Sequence, residues 1–189
     1  MPIDTLKPEQ VSNVQAKNEE KTVERQCGPC TACCTVLGVG ELEKESFKKC
    51  CHLGDGCKIY SSRPQSCRNW SCNWLLGQEP GGDERHRPDN LGLIFSVEMM
   101  EGKSGIVIAF EVWPGASEEP HGKYLLKKMA AKRPVIVTID GGLAGELYKI
   151  VCPTNGHEPQ GAQILERFKR YRATVSRKFV DELPNRPTA

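Results

Sequence analysis

The chain has 189 residues, with 26 Lys and Arg against 24 Asp and Glu and a formal net charge of +2. That length suits one domain with tails, and the near-balanced charge makes no case for nucleic acid or an anionic membrane as a partner. The apolar fraction of 38% lies below the roughly 45–50% usual for globular chains, a benchmark that also counts glycine. With 13 Pro and 18 Gly, much loop is expected, so a small core needs a further source of stability.

Residues 1–26 are polar with scattered apolar positions (Val11, Val14, Val23) and are predicted to form a flexible arm or a marginal helix. They contain no apolar signal core, and nowhere does an uncharged apolar run reach the length of a bilayer span, so the expected location is cytoplasmic. Residues 27–77 form a cysteine region, where Gly28-Pro29, Gly54-Asp55-Gly56 and Arg63-Pro64 interrupt stretches too brief for long helices. Gly77 to Asp83 reads as a linker or exposed loop.

Residues 78–189 have a different character. Leu91–Val97 and Gly105–Val112 are predicted strands, joined by a turn at 101–104. Tyr124–Ala131 is predicted helical, Pro134–Asp140 a third strand, and Gly141-Gly142 its end. Ile164, Phe168, Tyr171, Val175 and Phe179 recur at helical spacing and predict a C-terminal amphipathic helix. The expected fold class is therefore α+β: a small irregular cysteine-rich metal-binding domain plus a small mixed sheet with that helix.

The ten cysteines are Cys27, Cys30, Cys33, Cys34, Cys50, Cys51, Cys57, Cys67, Cys72 and Cys152, nine of them within 46 residues. In a reducing compartment thiols stay reduced, and a cluster of this density points to metal and not to a disulfide scaffold. Cys27-x-x-Cys30-x-x-Cys33 offers three thiolates from one loop, as ferredoxin-type runs do, whereas zinc sites more often take two separated pairs. The spacing leans towards an iron–sulfur cluster, with zinc or iron as alternatives. Cys50-Cys51-His52, Cys57, Cys67 and Cys72 supply the remaining candidates, enough for one cluster with spare thiols or for two metals.

The pattern Cys27-x-x-Cys30-x-x-Cys33-Cys34, Cys51-His52-Leu53, Cys57-Lys58-Ile59-Tyr60, Arg63-Pro64, Cys67-Arg68 and Cys72 resembles the CxxCxxCC cysteine-cluster family, the YkgJ-like zinc- or iron-chelating domain. The resemblance covers about residues 27–75, and Arg87-Pro88-Asp89 with the strand after it is similar to one branch of that family. It implies metal or cluster binding through Cys27, Cys30, Cys33, Cys34, Cys51, Cys57, Cys67 and Cys72, and supplies no settled reaction. Cys50 is an additional cysteine beside the expected one, which leaves Cys50 and Cys51 as alternatives, and His52 is the one non-cysteine candidate ligand.

Other residues have plainer readings. Ile59 and Tyr60 are expected to fill a small core, Arg63 and Arg68 to donate to carbonyls or cysteine sulfurs, and Trp70 and Trp74 to flank Cys72 and exclude water. His86, His121 and His157 read as solvated, Cys152 as a plain thiol, and Asp140–Gly145 as a turn lacking a phosphate-loop fingerprint. Arg167, Lys169, Arg170, Arg172, Arg177 and Lys178 give the last helix a basic face, either solvated or turned to an acidic protein partner; nucleic acid is the minority reading. No Ser–His–Asp set, metalloprotease helix or dinucleotide fingerprint indicates another chemistry. Catalysis stays open between an iron–sulfur oxidoreductase or other cluster-dependent enzyme and a zinc-stabilised interaction module or metal carrier without turnover.

Overall fold

The computed structural model describes residues 25–99, 105–142, 146–151 and 158–181. The expected turn at 101–104, Cys152, His157 and residues 1–24 lie outside them. The fold is α+β. Four strands, β1 (Leu93–Met99), β2 (Gly105–Glu111), β3 (Val135–Asp140) and β4 (Glu146–Val151), form one mixed sheet in the order β1-β2-β3-β4. β1 pairs with β2 and β3 with β4 antiparallel, while β2 and β3 run parallel. A parallel pair needs a crossover connection, and the longer of the two helices packed on the sheet's opposite faces does not supply it. The connection is α4 (Pro120–Ala130), whose start four residues earlier than predicted reflects a proline suited to a first helical turn.

Alternation along the strands divides the core into two layers. The odd-numbered Leu93, Phe95, Val107, Ala109, Val135 and Val137 pack with Leu125, Leu126, Met129 and Ala130 of α4. The even-numbered Ile94, Ile106, Ile108, Phe110 and Ile136 face the other way, onto Phe168 of α5 (Glu158–Asp181) and onto Ala32 and Val36 of the cysteine region. Phe168 meets Tyr148 of β4 edge-on, ring centroids 5.4 Å apart. The cysteine region and the C-terminal helix thus share one face of the sheet.

Some boundaries differ from expectation. Leu91 ends a short helix, α3 (Pro88–Leu91), stopped by Gly92 at φ 76°, so the first strand begins two residues later than predicted. A Cβ on Gly92 would lie 2.5 Å from the Trp113 indole, so glycine is required there for space as well as for backbone conformation. β4 was not anticipated: Glu146-Leu147-Tyr148-Lys149-Ile150-Val151 interleaves charge with apolar side chains, as a half-exposed edge strand does. Among the described residues no helix is long and apolar enough to cross a membrane.

Candidate metal centre

The site is built from short elements docked on the even-numbered sheet face. Cys27 and Cys30 are joined by a tight turn at Gly28, where φ is 54°, and the Cys30 amide donates to the Cys27 carbonyl at 3.0 Å. Next comes α1 (Ala32–Val36), whose Ala32 and Val36, one turn apart, are both buried against the sheet. That contact sets the roll of the helix. Cys33 packs against the sheet core together with Cys30 and Cys72, while the carbonyl of Cys34, the next residue of α1, accepts from the Cys50 amide of the loops that follow.

Those loops are tied to α1 by backbone bonds. Val39 and Lys44 exchange both amide-to-carbonyl hydrogen bonds, at 2.8 and 3.0 Å, across a turn whose Glu43 has φ 50°. The hairpin brings the Lys44 ammonium back to the Leu37 carbonyl, with a second bond to the Glu45 carbonyl at 3.2 Å. The Phe47 amide donates to Val36 and the Cys50 amide to Cys34, both at 2.9 Å. Leu53 bridges to Cys57. Cys67 sits on α2 (Gln65–Asn69), held by the Glu41 carboxylate, which accepts from the Ser66 amide at 3.0 Å and the Ser66 hydroxyl at 2.7 Å. Beyond Cys72, the buried Asn73 (3% exposed) donates its backbone N–H to the Phe95 carbonyl of β1 at 2.8 Å.

All nine cysteines among the described residues are free thiols. Eight of the nine are partly buried; Cys51 is exposed, whereas its neighbour Cys50 is half-buried and donates its amide to the Cys34 carbonyl. Among the described residues, however, no three Cys, His, Asp or Glu side chains close around a point where one metal ion could sit. The thiols are gathered without being closed, and His52 joins no such group.

The chemistry of the donor set nevertheless suits a thiophilic metal. Burial raises the Cys30 thiol to about 11, an effect reinforced by the nearby Asp89 carboxylate; against it, the backbone N–H groups of Ala32 and Asp89 donate to the sulfur. Cys72 is likewise raised by burial, while its sulfur accepts from the backbone N–H of Leu75 and Trp74. Such donors favour the thiolate over the thiol and are what a metal-bound sulfur needs around it. Cys33 and Cys34 share a proton unevenly. The Cys33 thiol is pushed up, first by its contact with Cys34 and then by burial and the negative charge of Cys34, Cys27 and Cys30. Cys34 is lowered to about 6 by Cys33, with Lys44 and Cys57 also favouring its thiolate. Burial draws the Lys44 ammonium down, but Cys50, Cys34, Cys33 and Cys67 hold it up, so the lysine lies within reach of four sulfurs.

Lys44 and Asp89 are contributors that the spacing of cysteines did not single out. Asp89 lay within the noted Arg87-Pro88-Asp89; Arg87 grips it through Nε at 2.6 Å and a second guanidinium N–H at 3.1 Å. Lys44 carried no signal. Several expected roles are corrected. Tyr60 is no core filler: it is 50% exposed, and the Arg63 guanidinium stacks on its ring 3.9 Å from the centroid. Arg63 still lies near the sulfurs, since the charges of Cys27 and Cys57 act on it. Arg68 donates to the Gln65 side chain at 2.9 Å, not to a sulfur. Trp70 and Cys72 both pack against the sheet core, whereas Trp74 is buried with its indole N–H on the Asp83 carbonyl at 3.2 Å and secures the following loop. His86 is half-buried instead of solvated, stacked on His121 with centroids 5.3 Å apart.

No family model, curated protein or solved structure matches this chain.

Proposed function

We propose that this protein binds metal through the clustered thiolates of residues 27–72, as an iron–sulfur cluster. The carrying observation is that the free thiols Cys30, Cys33 and Cys72, brought from separate segments of the chain, pack against the same sheet core. Thiolates on a metal gain charge stabilisation and a fixed direction from such a setting. The Cys27-x-x-Cys30-x-x-Cys33 spacing and the resemblance to the CxxCxxCC cysteine-cluster family support the same reading. The preference for iron and sulfide over zinc rests on that spacing. A zinc-stabilised module without turnover is the second reading, favoured by the five-residue lengths of α1 and α2, which leave a metal to hold the loops.

Anaerobic purification from iron-replete medium, followed by a visible spectrum and metal analysis, tests both. Brown protein with broad absorption bleached by dithionite, containing iron and acid-labile sulfide, is the expected result. Colourless protein with stoichiometric zinc would overturn the iron preference and leave metal binding in place. Protein free of metal from both iron- and zinc-replete cultures would overturn the reading itself.

A further inference from the structure

β1 is an edge of the sheet, and half of that edge is open. The Val112 amide donates to the Gly92 carbonyl at 2.8 Å, and this pair continues the Leu93↔Glu111 register. In an antiparallel ladder bonded and non-bonded pairs alternate, so the even-numbered residues of β1 commit their backbone groups to β2 while Phe95, Val97 and Met99 turn theirs outward. The Asn73 amide covers the Phe95 carbonyl. Among the described residues no backbone group bonds to the outward N–H or C=O of Val97. The side chains of Val97 and Met99 are exposed as well. An apolar, unblocked edge of this kind is a template for another strand.

Beside it lies a groove of about 340 Å³, in which the apolar Val97, Val107 and Met129 meet the polar Glu79, Lys132 and Arg133. Gly105 leaves room for these groups to converge: a Cβ there would lie 2.7 Å from Val97 Cγ1, 3.2 Å from the Met99 sulfur and 3.4 Å from an Arg133 guanidinium nitrogen. Arg133 therefore stands against the two exposed apolar side chains of the edge. The charge here is uneven. Lys128, Lys132 and Arg133, all exposed, act on the single carboxylate of Glu79, and Lys132 already pairs with it at 2.7 Å.

We infer that β1 takes on a further strand at Val97–Met99, supplied by an extended acidic segment of a partner protein. Main-chain bonds to Val97 hold such a segment, and its alternate side chains give it specificity. An apolar side chain settles on Val97, Val107 and Met129. An acidic one two residues along, on the same face, meets Arg133 and Lys128. The surface is independent of the metal-binding reading, because Val97 and Val107 belong to the layer closed by α4, whereas Cys30, Cys33 and Cys72 pack on the other.

The test is selection of a random heptapeptide display library on the full-length chain, followed by synthesis of the enriched sequence as a capped peptide. The expected consensus carries an acidic residue two positions from an apolar one. Amide hydrogen exchange followed by NMR should show new protection at Val97 and Met99 when that peptide binds. Arg133→Glu should weaken binding roughly five- to tenfold, and replacing the peptide's acidic residue with lysine should restore it. N-methylation of alternate backbone amides in the peptide should abolish binding while leaving its charge unchanged, a control that requires no variant of the protein to fold. No enrichment, a consensus without an acidic residue, or binding that leaves the Val97 amide unprotected would overturn the proposal. Two other occupants are separated by the same measurement on the chain alone. Protection at Val97 that rises with protein concentration would assign the edge to a second copy, and protection that disappears when residues 1–24 are removed would assign it to that segment. Either result would overturn the assignment to a separate partner.

Discussion

The sheet and the cysteine region meet on one face but are held together by different means. Every residue of β2 is buried, and its apolar side chains alternate between two packed layers, one closed by α4 and the other by α5 and α1. Between Cys27 and Cys72 the helices are five residues long or shorter, and the described region contributes only Ala32, Val36 and Val39 to the buried apolar core. Its remaining order comes from turns, two isolated β-bridges and a set of thiols that no group of three closes around a metal position among the described residues. A sheet that buries its own core can serve as a platform. On the proposed reading, a metal completes the loop region.

Breaking the platform should give the largest effect. Ile108 is fully buried at the centre of the shared face, and Ile108→Ala should cost about 2–5 kcal/mol. Denaturant unfolding of a Trp113→Phe background followed by Trp fluorescence should show one earlier transition, because Trp70 and Trp74 then report on the cysteine region and the loop after it, while Trp113 lies against the other face of the sheet. A transition that leaves the tryptophan signal unchanged would mean the two regions are uncoupled.

Loosening the seam should do less. Val36→Ala removes buried methyl groups from α1 where it touches the sheet, and about 1–3 kcal/mol of docking energy should go with them. Limited proteolysis should then cut within residues 27–77 faster than in the wild type, with the β1–β3 fragment surviving. Equal cutting in both regions would show that the sheet does not stand alone.

The mildest change lies inside the cysteine region. Glu41 holds α2 through two bonds from Ser66, and these bonds put its carboxyl below the ordinary carboxylate range. A depressed pKa contributes stability that is present above the unfolded value and disappears as pH falls through the folded one. Glu41→Gln should therefore weaken metal retention near neutral pH, by about 0.5–1 kcal/mol for an exposed charge-assisted pair, or roughly two- to fivefold in affinity. Below the carboxylate range the variant and wild type should converge. A competition titration with a colorimetric chelator across pH 3 to 7 would measure both; a difference that persists at the acid end would point to a structural effect of the amide.

Much of this contrast was legible in the residues. Leu93–Phe95, Gly105–Glu111 and Val135–Ile139 announce themselves as strands because burial on two faces demands unbroken apolar runs. β4 escaped notice because an edge strand needs only alternate apolar residues, and Glu146 and Lys149 hid the pattern. The cysteine spacing marked residues 27–72 as the candidate site. It could not rank Cys50 over Cys51, since the half-burial of Cys50 goes with its backbone bond to Cys34. Lys44 and the His86–His121 stack were hidden for the same reason: each depends on a contact that no local pattern encodes.

Peptide-resolved hydrogen exchange of the full-length protein, metal-loaded and after anaerobic chelation, tests most directly the claim that metal completes one region on a platform formed by the other. Chelation should collapse protection across residues 27–77 while residues 93–99, 105–111 and 135–140 keep most of theirs. Unchanged protection in 27–77 on metal removal would contradict it, as would equal loss across the sheet.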